Sequence, residues 1–254
     1  MNDPANPGLL DSTVRWWCAT RAQQGRFATL VSLGTLVWEF ALDSLPSRRR
    51  QRYGDVDFDW DHRVDTTSAT VSWRDRLLGL FHSPYQPTDP ALFGEMLTNL
   101  KIDFREFVFI DIGSGKGRAL LMAAEYPFRR VIGVELFLEL HRVAQENIRK
   151  YRSTSQQCFA IDAICGDARE FVFPPEPLVL YLFNPLPKAG LAELMTKLEG
   201  SLQELPRPAF VLYHNPLLEH VLLQSPYLTK IGGTHQYSVF RSLRDQWGNT
   251  GRAI

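Results

Sequence analysis

From about residue 88 to residue 241, short apolar runs alternate with stretches whose apolar positions recur every three or four residues. A helix is predicted from Thr88 or Asp89, with Pro90 in its first turn and Leu92, Met96, Leu97 and Leu100 following at helical spacing. Residues 107–111 form an apolar run that ends on an acid, the pattern of a strand buried on both faces. A glycine-rich loop and a helix through Ala124 come next, and Pro127 ends that helix. A strand over residues 130–135 leads into a helix carrying Leu140, Val143, Ala144, Ile148 and Tyr151 on one face. Further strands fall at 161–165, 177–183 and 208–213, with helical segments near 188–203 and 216–224. Residues 227–231, Gly232-Gly233 and residues 236–241 read as a hairpin whose last strand runs antiparallel. Strands that alternate with helices imply an α/β fold: a Rossmann-like, doubly wound, mostly parallel seven-stranded sheet covered on both faces.

Residues 1–52 read as an N-terminal helical arm ahead of a domain over 53–246, with 247–254 as a tail. Within the arm, residues 27–42 put Ser32, Thr35, Glu39 and Asp43 on one polar stripe and apolar side chains nearly everywhere else. Such a helix has to be mostly covered. It carries Glu39 and falls short of the roughly 20 apolar residues that span a bilayer. Its cover is its own domain or a second subunit, as in a homodimer. Alternatively, with Arg48, Arg49, Arg50 and Arg52 behind it, it makes a peripheral membrane contact. Residues 55–61, DVDFDWD, alternate acids with apolar residues, as a solvated extended edge would. Four carboxylates spaced along a strand do not converge on a point, so no metal site is expected there.

Composition adds limits. The 254 residues, 44% hydrophobic, suffice for one full core with an extension. Twenty-eight basic residues balance twenty-eight acidic ones, so no overall field favours nucleic acid or anionic lipid. Cys18, Cys158 and Cys165 form no CxxC pair, which argues against a zinc cage or a disulfide framework. The N-terminal residues lack the charge and apolar pattern of a secretory signal, so a cytoplasmic location is expected.

The chemistry is concentrated in FIDIGSGKGR, residues 109–118. A phosphate-binding P-loop would need a glycine at Ile110 and a hydroxyl at Gly117, and both fail. The dinucleotide fingerprint fits weakly, because Arg118 stands where its third glycine belongs. The frame of Asp111, Gly113, Gly115 and Gly117 at the end of a strand instead resembles the main motif of class I S-adenosylmethionine-dependent methyltransferases. It is most similar to a bacterial branch with a DxGSGKGR loop and a Tyr-x-Pro-Thr element, here Tyr85 to Thr88.

The resemblance covers about residues 85 to 241 and names site residues. Glu135 would take the ribose hydroxyls and Asp167 the adenine amine. Leu182-Phe183-Asn184-Pro185 resembles the substrate-side motif, where the Asn184 side-chain oxygen and the Phe183 and Pro185 carbonyls would hold an amine. Tyr85 either closes over the methionine end of the cofactor or packs. His214 either faces the substrate or makes a structural hydrogen bond. Lys116 and Arg118 are expected to be solvated, and His82 and His141 to lie at the surface. The implied activity is methyl transfer to an amine nitrogen, in a protein lysine or a small amine. Leu186 and Pro187 depart from the motif of base-nitrogen methyltransferases, so nucleic acid is not the expected acceptor. Two alternatives stand beside this reading: an NAD-dependent oxidoreductase, and a non-catalytic module that binds S-adenosylmethionine.

Overall fold

The computed structural model describes residues 56–67 and 87–243, together with parts of a helical stretch within 14–35. Tyr85, His82, residues 36–42 and the tail at 247–254 lie outside the described residues.

Helix α1 spans Val56–His62 and α2 spans Pro90–Thr98. The first of these corrects the expectation of an extended edge. In DVDFDWD the period of two coincides with a helical reading. Phe58 and His62 lie four apart and stack at 4.4 Å, while the His62 ring bonds the Phe58 carbonyl at 2.9 Å. Asp59 points inward, and Asp57 and Asp61 stay exposed. Asp89 caps α2 by accepting from the Leu92 amide at 2.8 Å, with Pro90 at the first position.

The remaining elements follow in chain order: β1 Val108–Ile112, α3 Arg118–Ala123, β2 Arg130–Glu135, α4 Leu138–Lys150, β3 Ile161–Cys165, β4 Leu178–Phe183, α5 Lys188–Glu204, β5 Ala209–His214, α6 Glu219–Leu223, β6 Leu228–Gly233 and β7 Tyr237–Ser242. They build one seven-stranded sheet in the order β3-β2-β1-β4-β5-β7-β6. The first five neighbours pair in parallel, and β7 runs antiparallel to both β5 and β6.

Strand alternation divides the core into two layers. Val108, Ile110, Ile112, Leu178, Leu180 and Leu182 pack under α5 and α6 through Leu191, Leu194, Leu198 and Leu222. Phe109, Val131, Val179, Tyr181 and Leu212 pack on the other face against Phe93, Met96 and Leu97 of α2 and Leu120 of α3. The chain reverses winding between β1 and β4, and ligand crevices open at the carboxyl ends of the strands at such a switch point.

Of the arm, residues 25–35 are helical. Thr29 is fully buried, whereas Phe27, Leu30 and Val31 are more than half exposed. Among the described residues, no helix is long and apolar enough to cross a membrane.

Candidate functional site

At the switch point, β1 ends in a loop that only glycines can trace at three places. Gly113, Gly115 and Gly117 have φ of 75°, 53° and 84°, in the left-handed region. Close approach adds to this at Gly113, where a Cβ would sit 2.7 Å from the Pro185 Cβ. The turn after β4 thus leans directly on the loop after β1. The same closeness recurs at Gly133 in β2, where a Cβ would meet the Leu120 side chain at 2.6 Å and the Ser114 Oγ at 2.7 Å.

A cleft of about 870 Å³, including its open mouth, lies above the loop. Asp111, Gly113, Gly115, Glu135 and Asp167 all line it. Sequence reading therefore brought five expected cofactor residues to one place, and Gly117 follows as the residue that starts α3.

Glu135 grips the loop: Gly115 N–H donates to its Oε2 at 2.7 Å and Phe137 N–H to its Oε1 at 2.8 Å. Asp111 stands beside Tyr181 in the β1–β4 register and is almost fully buried. Burial first, and the neighbouring Glu135 carboxylate second, push its carboxyl up to about 8. Ser114 Oγ is buried at the cleft and has no hydrogen-bond partner among the described residues. Asp167 accepts from the Arg169 backbone at 2.9 Å and holds the Arg169 guanidinium, with Nε 3.0 Å from each carboxylate oxygen.

The ends of β4 and β5 form a matched pair of corners. β4 ends in Phe183-Asn184-Pro185-Leu186 and β5 in His214-Asn215-Pro216-Leu217, and the register aligns Phe183 with His214. Their rings stack at 3.9 Å and 19°. Asn184 and Asn215 both turn left-handed, with φ of 45° and 48°. Asn184 ties the corners together: its Nδ2 donates to the Asn215 carbonyl at 2.7 Å, and its Oδ1 accepts from the Tyr213 hydroxyl at 2.9 Å. The side-chain oxygen expected to seat an amine is thus already an acceptor within the corner.

His214 is buried and bonds the Tyr181 hydroxyl through Nδ1 at 2.8 Å; that hydroxyl also meets Thr88 Oγ1 at 3.0 Å. Burial lowers the His214 imidazole to about 4, against a partial opposing pull from Asp89, so the ring is neutral near pH 7. Burial also holds the Tyr181 phenol well above its ordinary range. Thr88 and Tyr181 both line the cleft. Tyr181 could have been singled out as the one side chain with a polar tip in an otherwise apolar strand.

Three expectations about charged side chains change. Lys116 and Arg118 are each 2% exposed rather than solvated. Lys116 Nζ donates to Asp65 Oδ1 at 2.8 Å and to the Thr67 carbonyl at 2.9 Å. Arg118 Nε donates to Thr66 Oγ1 at 2.7 Å, its Nη2 lies 3.4 Å from Asp59 Oδ1, and its guanidinium covers the Phe58 ring at 4.7 Å. Their partners lie about fifty residues upstream, beyond the reach of any local pattern. His141 is buried as well, on the inner face of α4, and burial lowers its imidazole.

No protein-family model matches the chain, and no curated protein matches it. Among solved structures it is similar to an RNA methyltransferase from Salinibacter ruber in complex with S-adenosyl-L-homocysteine, at 21% identity over 62% of this chain and 92% of that one, with a TM-score of 0.38. It is also similar to TrmN from Thermus thermophilus, at 22% identity over 61% of this chain and 49% of that one, with a TM-score of 0.43. A third likeness is to a ribosomal protein L11 methylase from Lactobacillus delbrueckii subsp. bulgaricus, at 15% identity over 59% of this chain and 76% of that one, again with a TM-score of 0.43. The sheet is the Rossmann-like, mostly parallel seven-stranded one expected from the sequence, with an antiparallel β7 between β5 and β6.

Proposed function

We propose that this chain is an S-adenosylmethionine-dependent methyltransferase acting on an amine nitrogen, in a protein or a small molecule. The observation that carries the reading is the pair of acids, Asp111 and Glu135, flanking a left-handed glycine loop at the switch point of this sheet. A dinucleotide-binding sheet runs 3-2-1-4-5-6, whereas here an antiparallel strand is inserted before the edge. That difference weighs against the oxidoreductase alternative.

The cleft residues suit the cofactor chemically. Asp111 is a buried acid that a cationic methionine end would relieve of its proton, and Glu135 is a carboxylate of the kind to which a ribose diol donates. Ser114 Oγ offers a buried hydroxyl to the same cleft. Asp167 can accept from the adenine amine if it shares its carboxylate with Arg169. When bound, the cofactor supplies an electrophilic methyl on a good leaving group. The chain's share is then alignment and exclusion of water, for which proximity provides roughly 7–11 kcal/mol. Phe183 and Pro185 line the cleft, and the Asn184 corner and the His214 ring stacked on Phe183 back them, so that the Phe183 and Pro185 carbonyls would serve as acceptors toward the amine.

Calorimetry should show micromolar binding of S-adenosylmethionine and almost none of NAD. Glu135→Ala should weaken binding by about 1.5–3 kcal/mol, the scale of hydrogen bonds to a charged group. Unchanged affinity in that variant would remove the ribose assignment.

The acceptor can be tested through pH. His214 is neutral and too weak a base to keep a proton taken from an alkylamine near 10.4. With a lysine-type acceptor, the apparent second-order rate should therefore climb about tenfold per pH unit through pH 9. A plateau starting near pH 7, or a product methylated on oxygen or carbon, would count against this assignment.

A further inference from the structure

Residues 56–67 are fastened to the cofactor loop itself, at several atoms at once. Arg118 reaches two separate stretches of chain, through Thr66 and Asp59 on one side and, via Nη1, the Thr88 carbonyl at 3.5 Å on the other. Asp59 in turn accepts from the Thr66 and Thr67 amides at 2.7 and 2.9 Å and from the Thr66 hydroxyl. From α4, Asn147 joins the two backbones. Its Nδ2 donates to the Lys116 and Asp65 carbonyls at 2.9 and 2.7 Å, and its Oδ1 accepts from the Asp65 amide at 2.8 Å. The loop is thus clamped between Glu135, which holds Gly115 from the cleft side, and residues 59–67 behind it.

We infer that Lys116 and Arg118 are positioning residues that couple docking of residues 56–67 to binding of the cofactor in the cleft, an inference that rests on the methyltransferase reading above. A loop with three left-handed glycines has unusual freedom to lose on binding. The clamp removes that freedom beforehand, so a ligand meets a loop that is already ordered. Coupling of this kind is reciprocal: whatever the segment adds to cofactor affinity, the cofactor adds to the hold on the segment. Arg118 carries the effect to the acceptor side as well, because Thr88, which it bonds, is the partner of the Tyr181 hydroxyl.

Hydrogen exchange on the full chain, with and without S-adenosylhomocysteine, tests the inference directly. Amides in 56–67 should exchange more slowly with the ligand bound, although none of those residues lines the cleft. Calorimetry on Arg118→Met and Lys116→Met, at a temperature where circular dichroism shows them folded, should show affinity reduced about 5- to 150-fold, the usual range of coupling between sites. Arg118→Lys should recover part of the loss. Should either methionine variant fail to fold, the wild-type exchange result decides alone. Unchanged exchange at 56–67, or folded variants with wild-type affinity, would overturn the coupling. A wild-type chain that binds neither S-adenosylhomocysteine nor S-adenosylmethionine would instead overturn the methyltransferase reading and this inference with it.

Discussion

Asp111→Asn should make the ligand-free protein markedly more stable at pH 9 and leave it nearly unchanged at pH 4. The Asp111 carboxyl sits at about 8 in the folded chain against an ordinary 3.8. Between those values the unfolded chain has released the proton and the folded chain still holds it. Stability therefore falls as pH rises, by about 1.4 kcal/mol per unit, until the folded group also ionises near pH 8. Asparagine keeps the shape and removes the titration. The gain at pH 9 is on the order of 5 kcal/mol, or roughly 10–20 °C in melting temperature for a chain of this size. Thermal denaturation of both proteins at several pH values measures it, and parallel curves would show that Asp111 is not the strained acid its burial makes it. The same acid predicts that cofactor binding near pH 7 releases a proton. Calorimetry in buffers of different ionisation enthalpy would count it.

The second large effect is expected at a residue that does not itself line the cleft. Asp59→Ala takes a carboxylate from the buried Arg118 guanidinium and the acceptor from two backbone amides and a hydroxyl. Breaking one side of a buried ion pair costs about 3–5 kcal/mol, which corresponds to roughly 6–20 °C. Asp57→Ala in the same helix, where the carboxylate is exposed, should change stability by no more than about 0.5 kcal/mol. Equal effects from the two substitutions would show that residues 56–67 do not depend on this pairing.

The contrast between these two aspartates marks where sequence reading succeeds and where it stops. The sheet was legible because its central strands are apolar on both sides and its strands are separated by glycines, prolines and amphipathic helices, all of which are local signals. Strands 130–135 and 161–165 were placed to the residue. That Asp111, Gly113, Gly115 and Glu135 gather at one cleft was legible too, since they hold fixed places relative to β1 and β2. Residues 55–61 were misjudged because seven residues are too few to separate a period of two from one of 3.6 when Phe58 and His62 satisfy both. Lys116, Arg118 and His141 were assigned to solvent because charged and polar side chains default there. Only folding reveals that Asp59, Asp65 and Thr66 wait opposite the two cations. Asn184 was expected to hold an amine, but its tie to Tyr213 and Asn215 depends on strand register, which no linear pattern states.

The twin corners also bear on how this protein ages. An asparagine usually deteriorates when the next residue's backbone nitrogen attacks its side-chain carbonyl and expels ammonia, forming a cyclic imide that reopens to an acid. Asn184 and Asn215 are each followed by proline, whose ring nitrogen carries no hydrogen and cannot complete that attack in the ordinary way. Two asparagines held in left-handed turns at the ends of β4 and β5 are thereby shielded from the commonest chemical decay of their residue type. Long storage should leave both amides intact while asparagines with other successors convert.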